Sequence, residues 1–160
     1  MKIKVWGGVV MAASLFMLFN IDAQSRDPEE FLYKDTLEDI AEEQRLGDME
    51  LLAQLIHAEA GNQSLYGKKL VADVVLNRVR SPLFPDTVEE VIFQEGQFSV
   101  VTNGAFNKAA YNMEESDYKA VEAEWDNLTN TSILYFNNSK NVGGEGKPFK
   151  VGVHYFNTQK

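Results

Sequence analysis

The sequence predicts an α+β domain, mainly helical, with a small β-sheet or hairpin near the C-terminus. Segments 48–60 and 65–80 place apolar residues three and four apart, the spacing of one helix face. Late in the chain, Ser132–Phe136 (SILYF) and Lys150–Phe156 (KVGVHYF) are rich in β-branched and aromatic residues and flank a Gly- and Asn-rich loop. A hydrophobic content of 44% over 160 residues supplies one core, and the absence of cysteine leaves no disulfide to staple it.

The elements follow in order. Lys2 and Lys4 precede an uncharged apolar run, Val5–Phe19, and Ala23 suits a cleavage position. This is the layout of a secretory signal peptide over residues 1–23, or of an uncleaved signal anchor. Residues 24–47 read as a polar spacer leading into a short acidic helix, Asp35–Gly47, ended by its glycine. Residues 48–160 then form the functional domain. Asp48 caps a helix that runs to about Ala60 and stops at Gly61-Asn62. Ser64 caps the next, Leu65–Arg80. Two prolines make Ser81–Asp86 a loop. Asp86 caps a short helix, Thr87–Phe93, and Gly96–Phe106 reads as loop with some strand. A helix opens at Ser116 and runs to about Leu128, before the β-prone tail.

Charge and composition exclude several functions. The net charge is −9, and lysines and arginines are scattered. No basic stripe offsets phosphate charge, so nucleic acid is not an expected partner. Without cysteine there is no thiolate zinc site, iron–sulfur cluster or cysteine nucleophile. No Gly-rich phosphate loop or Ser-His-Asp signature is present, and no cofactor is expected. His57-Ala58-Glu59 resembles half of the zinc deaminase signature, whose cysteines are missing. A metal site from His57, Glu59 and His154 is a minor alternative.

One residue stands out by geometry. With Leu51 at zero, Leu55 falls near about 40°, Leu52 near about 100° and Ile56 near about 140° on the helical wheel. Glu59 falls near about 80°, at the centre of this apolar stripe, while His57 points away near about 240°. A buried carboxylate costs several kcal/mol unless paired or protonated. Glu59 therefore either swings to solvent at the helix end, meets an arginine, or stays protonated in a half-apolar cleft. The last state suits a proton donor to a glycosidic oxygen. In the next helix Leu70, Val71, Val74 and Val75 form one stripe, with Leu76 and Val79 on another side. Such a broadly buried helix demands partners for Asn77 and Arg78. A surface carboxylate is the expected partner of Arg78.

Glu59–Val79 (EAGNQSLYGKKLVADVVLNRV) resembles the start of the catalytic domain of the SleB/CwlJ-like cell wall hydrolases, which include the spore cortex-lytic enzymes. Glu59, Ala60, Gly67 and Leu76-Asn77-Arg78-Val79 fall on that pattern. Phe84–Val101, Ile133–Asn138 and Val151–Phe156 are similar to its later blocks, so the likeness extends over about Leu51–Phe156. The resemblance implies a lysozyme-like fold and cleavage of peptidoglycan glycan strands. By position it makes Glu59 the catalytic acid. Many relatives carry Glu-Ala-Arg-Gly-Glu, whereas this chain has Gly61, Asn62 and Gln63 after Ala60. The missing second acid favours a lytic transglycosylase, in which one glutamate serves as acid and then base.

From the matched blocks, Gln94, Gln97, Phe98, Ser99, Tyr135, Asn137 and His154 are candidates for substrate binding, with Asn77 and Arg78 as structural support. Phe98, Tyr135 and Phe156 suit core packing as well as sugar stacking. The expected partner is peptidoglycan, the expected state a monomer in the cell envelope or beyond, and membrane contact is expected only through the N-terminal segment. A non-catalytic peptidoglycan-binding or envelope-assembly module on the same fold is the alternative.

Overall fold

The computed structural model describes residues 28–159. The expected signal segment, residues 1–23, lies outside them. The chain divides into two units, residues up to Glu42 and residues from Glu43 onward.

The first helix, α1, spans Pro28–Ala60 without interruption. It corrects three expectations. Residues from Pro28 onward are helical rather than a polar spacer; Pro28 stands at the first helical position, where its missing N–H is not needed. Gly47 does not end a helix. A Cβ there would meet nothing within 4 Å, so the glycine costs only its poor propensity, about 1 kcal/mol. Asp48 is consequently an interior residue and not a cap.

The C-terminal end of α1 buries Leu52, Ala53, Leu55, Ile56 and Ala60 completely. Each large aliphatic side chain among them contributes roughly 1.5–3 kcal/mol by leaving water. They pack on α2 (Leu65–Val79), which Ser64 caps by accepting a hydrogen bond from the Gly67 N–H. Leu70, Val71, Val74 and Val75 are fully buried. The helix α3 (Val88–Phe93) is capped by Thr87, not Asp86: the Thr87 hydroxyl accepts from the Glu90 N–H at 3.2 Å. The segment expected to be loop and strand instead holds two short helices, α4 (Ser99–Thr102) and α5 (Ala105–Ala109). Gln54 of α1 anchors α5 by donating to the Phe106 carbonyl at 2.8 Å. The last helix, α6 (Glu115–Trp125), starts one residue earlier than expected. Its cap is Glu114, in a reciprocal box with Asp117.

The tail is a three-stranded antiparallel sheet of β1 (Ile133–Asn137), β2 (Phe149–Val151) and β3 (His154–Thr158), in the order β1-β3-β2. Lys150–Phe156, read as one β segment, is a hairpin in itself. Gly152 turns it with φ +57, and Val151 pairs with His154 across the turn. Phe156 is fully buried and stacks between Phe136 and Phe149, at 5.8 Å from each.

Candidate active site

The end of α1, the start of α4 and the ends of β1 and β3 converge on a cleft. One pocket, of about 200 Å³, is lined by Glu59, Gly96, Gln97, Phe98, Ser99, Phe136, Asn137, Asn138 and His154. A second, of about 690 Å³, shares Glu59, Ser99, Asn138 and His154 and adds His57, Asn62 and Glu114 among others. Glu59 thus belongs to both. Neither lining contains a lysine or an arginine. Amides, hydroxyls, imidazoles and aromatic rings dominate, groups that suit neutral sugars.

Glu59 is half-buried, and desolvation alone raises its carboxyl pKa above the usual range. No hydrogen bond or ion pair reaches it from another described residue. The arginine considered as its partner does something else. Arg78 donates from Nε to the Leu134 carbonyl at 2.8 Å. Its guanidinium lies 4.9 Å from the Phe84 ring centre and 5.3 Å from that of Phe98. Burial lowers its pKa to about 10. The expected surface carboxylate is absent from its contacts; a carbonyl and two aromatic faces take that place.

Arg78 ends a polar stripe along α2 that sets the position of β1. Asn77 donates to the carbonyls of Asn130 (2.8 Å) and Ile133 (3.0 Å). One turn earlier, Asp73 accepts from the Asn130 N–H at 2.8 Å. One turn earlier again, Lys69 Nζ lies 2.6 Å from Glu124 Oε1. Glu124 also accepts from the Thr129 hydroxyl and N–H. Both acids are fully buried. Desolvation first, then the hydrogen bond and charge of Glu124, push Asp73 up to about 8. Burial would raise Glu124 too, but Asp73, Lys69 and the Thr129 donors outweigh it and hold Glu124 low.

The other predicted site residues divide. Gln97, Phe98, Ser99, Asn137 and His154 share a pocket lining with Glu59. Phe98 is buried, packed against Phe136 at 6.1 Å, and forms floor more than wall. His154 is buried between Phe136 (5.1 Å) and Phe156 (6.1 Å), and desolvation lowers its pKa, leaving a neutral imidazole. Asn137 Oδ1 accepts from the Ser139 N–H at 2.7 Å and so shapes the turn after β1. Gln94 and Tyr135 are not in either lining. Gln94 ends α3, its Oε1 buried without a partner. Tyr135 packs edge-on to Phe84 and donates its hydroxyl to Gln159.

Gln63, at the position where the resemblance led to the expectation of an acid, acts as a latch. Its Oε1 accepts from the Val153 N–H at 3.2 Å, and its Nε2 donates to Asn62 Oδ1 at 2.7 Å. A Cβ on Gly152 would stand 2.0 Å from that Oε1, so the glycine is what lets the β2–β3 turn sit against Gln63.

Sequence reasoning missed a second network at the cleft. His57 Nδ1 lies 2.8 Å from Asp117 Oδ2, and Lys68 Nζ lies 2.7 Å from Asp117 Oδ1. Lys68 also donates to Ser116 Oγ at 2.7 Å. Lys68 and Asp117 are buried. Asn62, Glu114 and Asn138 were missed as well. Only the demand of a broadly buried helix for polar partners, applied to Lys68 as to Asn77, pointed this way. Among the described residues no three His, Asp or Glu side chains are grouped to hold a metal ion.

Known proteins resemble this chain in sequence and in fold. The family model described as Cell Wall Hydrolase matches residues 62–157, starting three residues after Glu59. The spore cortex-lytic enzyme of Bacillus subtilis is 32% identical over 114 residues, covering 68% of this chain and 37% of that protein. That of Oceanobacillus iheyensis is 35% identical over 118 residues, covering 68% and 41%. The chain therefore spans about two-fifths of the length of these relatives. The solved catalytic domain of the germination-specific lytic transglycosylase SleB from Bacillus anthracis superposes with a TM-score of 0.57 at 29% identity, covering 69% of this chain and 93% of that one. The catalytic domain of the Bacillus cereus SleB protein gives 0.58 at 30%, covering 69% and 89%. With a family model matching well over half its length and the fold shared with two catalytic domains, this chain belongs to the Cell Wall Hydrolase family.

Proposed function

We propose that this chain cleaves peptidoglycan glycan strands between N-acetylmuramic acid and N-acetylglucosamine, as a lytic transglycosylase with Glu59 as its one catalytic carboxyl. The observation that carries the reading is the state of Glu59: raised by desolvation alone, without a hydrogen-bond or ion-pair partner among the described residues, and common to both pockets of a polar cleft lined by no lysine or arginine. A carboxyl kept protonated near neutral pH can donate to a leaving oxygen. The likeness to two SleB catalytic domains, one of them that of a germination-specific lytic transglycosylase, and to spore cortex-lytic enzymes supports the substrate class.

The step balances without water. Glu59 gives its proton to the glycosidic oxygen as the C1–O bond breaks. The muramic acid 6-hydroxyl attacks C1, and its proton passes to the Glu59 carboxylate, restoring the acid. The product is a 1,6-anhydro end and a free hydroxyl end. No second acid is required, in keeping with Gln63 being occupied as a latch to Val153. Action on this polymer puts the working location outside the cytoplasmic membrane, and the chain acts as a monomer.

Digestion of purified peptidoglycan followed by mass spectrometry tests the proposal. It predicts soluble fragments with 1,6-anhydro-muramic ends. Reducing muramic ends would assign hydrolysis instead. Binding without any release would favour the non-catalytic module.

A further inference from the structure

The part of the cleft beyond Glu59 contains one group whose protonation is dictated by its neighbours. Asp117 is fully buried. Burial would raise its pKa, but Lys68, the Glu114 N–H and His57 outweigh this and keep it low, hence ionised. Its Oδ2 accepts from the Glu114 N–H at 2.8 Å and faces His57 Nδ1 at 2.8 Å. An ionised carboxylate only accepts hydrogen bonds. His57 must therefore carry its proton on Nδ1 and donate it to Asp117. In the neutral ring the other nitrogen, Nε2, is then a bare acceptor. The side chain is 20% exposed and lines the pocket shared with Glu59 and Asn62.

The surroundings explain why an acceptor is placed there. Asn62 has its Oδ1 occupied by Gln63, which leaves its amide N–H groups for the pocket. Lys68, which shares Asp117 with His57, is spent on that carboxylate, with Glu114 at 3.9 Å. A donor and an acceptor thus stand on one wall of a pocket lined by no lysine or arginine. That pattern fits a vicinal or amide-bearing sugar, which offers both an acceptor and a hydroxyl donor, and does not fit a carboxylate.

We propose that His57 is a substrate-binding residue of this wall, accepting a hydrogen bond at Nε2 from a sugar hydroxyl of the glycan strand. Asp117 and Lys68 set its tautomer and orientation. The role rests on the glycan-cleaving reading of the cleft. It is a ground-state contact, so its loss raises KM and leaves kcat in place.

Two measurements test it. In the full chain carrying Glu59→Gln, long-range ¹H–¹⁵N spectra should show His57 protonated at Nδ1. Its Nε2 resonance should move when glycan strands freed of stem peptides are added. Protonation at Nε2, or an unmoved resonance under saturating strands, overturns the role. In the active protein, His57→Phe should raise KM for the same strands about five- to tenfold, as one lost hydrogen bond implies, with kcat within about twofold. A His57→Phe protein with unchanged KM overturns the role of His57 alone. Wild-type protein that neither binds nor cuts the strands overturns the reading of the cleft together with it.

Discussion

Glu59 and Glu124 are the same residue type placed at two ends of the same core, and they meet opposite fates. Glu124 is fully buried, yet Lys69, Asp73 and two donors from Thr129 surround it and hold it ionised. Glu59 is only half-buried, has no partner, and desolvation alone raises it. Depth of burial therefore does not decide the state of a carboxyl; the donors that come with it do. At the α2–α6 seam the fold supplies every donor, and the acid holds the chain together. At the end of α1 no described residue supplies one, and the acid lies open to the cleft.

Glu59→Gln breaks the comparison most severely. It keeps size and polarity but has no proton to give. Turnover should fall roughly 10²–10⁴-fold while the melting temperature is unchanged, since no native contact is lost. Undiminished release of fragments would remove Glu59 from the mechanism. Glu124→Ala is the mirror image. It strands the Thr129 donors and removes the carboxylate of the Lys69 ion pair, so unfolding in urea should show a loss of about 3 kcal/mol. Catalysis by the folded fraction should persist. A variant as stable as the parent would mean the seam is not held by this acid.

A smaller effect comes from Asp73, raised to about 8 in the fold against 3.8 ordinarily. A carboxyl raised on folding contributes stability at low pH and loses it as pH rises through the folded value. Melting temperature should therefore decline as pH climbs towards about 8. Asp73→Asn mimics the protonated acid, still accepting from Asn130 and donating to Glu124, and should flatten that decline. An equally steep decline in the variant would assign the pH dependence elsewhere.

The contrast between the two glutamates also explains what was legible in the sequence. Glu59 could be found because its anomaly is local: four neighbours within nine residues define the stripe it interrupts. The helix after Ser64 and the β-prone tail were legible for the same reason. The Lys68–Asp117–His57 chain was not, because its members are separated by 49 and 60 residues and each alone looks like a solvated polar residue. Helices α4 and α5 have four and five residues, too few for any periodicity to show. At Gly47 a local rule was overridden, since one glycine's propensity is small beside the cooperativity of a 33-residue helix. Arg78 was singled out correctly as needing a partner, but its carbonyl and aromatic partners lie in elements that only the fold brings near.

The central claim is that Glu59 donates a proton because the fold leaves it unpaired. The most direct measurement is the ¹³C titration of the Glu59 and Glu124 side-chain carboxyls in one sample, set against the pH dependence of strand cleavage. The account predicts that Glu59 titrates above the ordinary glutamate range and Glu124 below it, and that activity falls with rising pH through the Glu59 midpoint. A Glu59 that titrates at or below the ordinary value, or an alkaline limb of activity unrelated to it, would contradict the account.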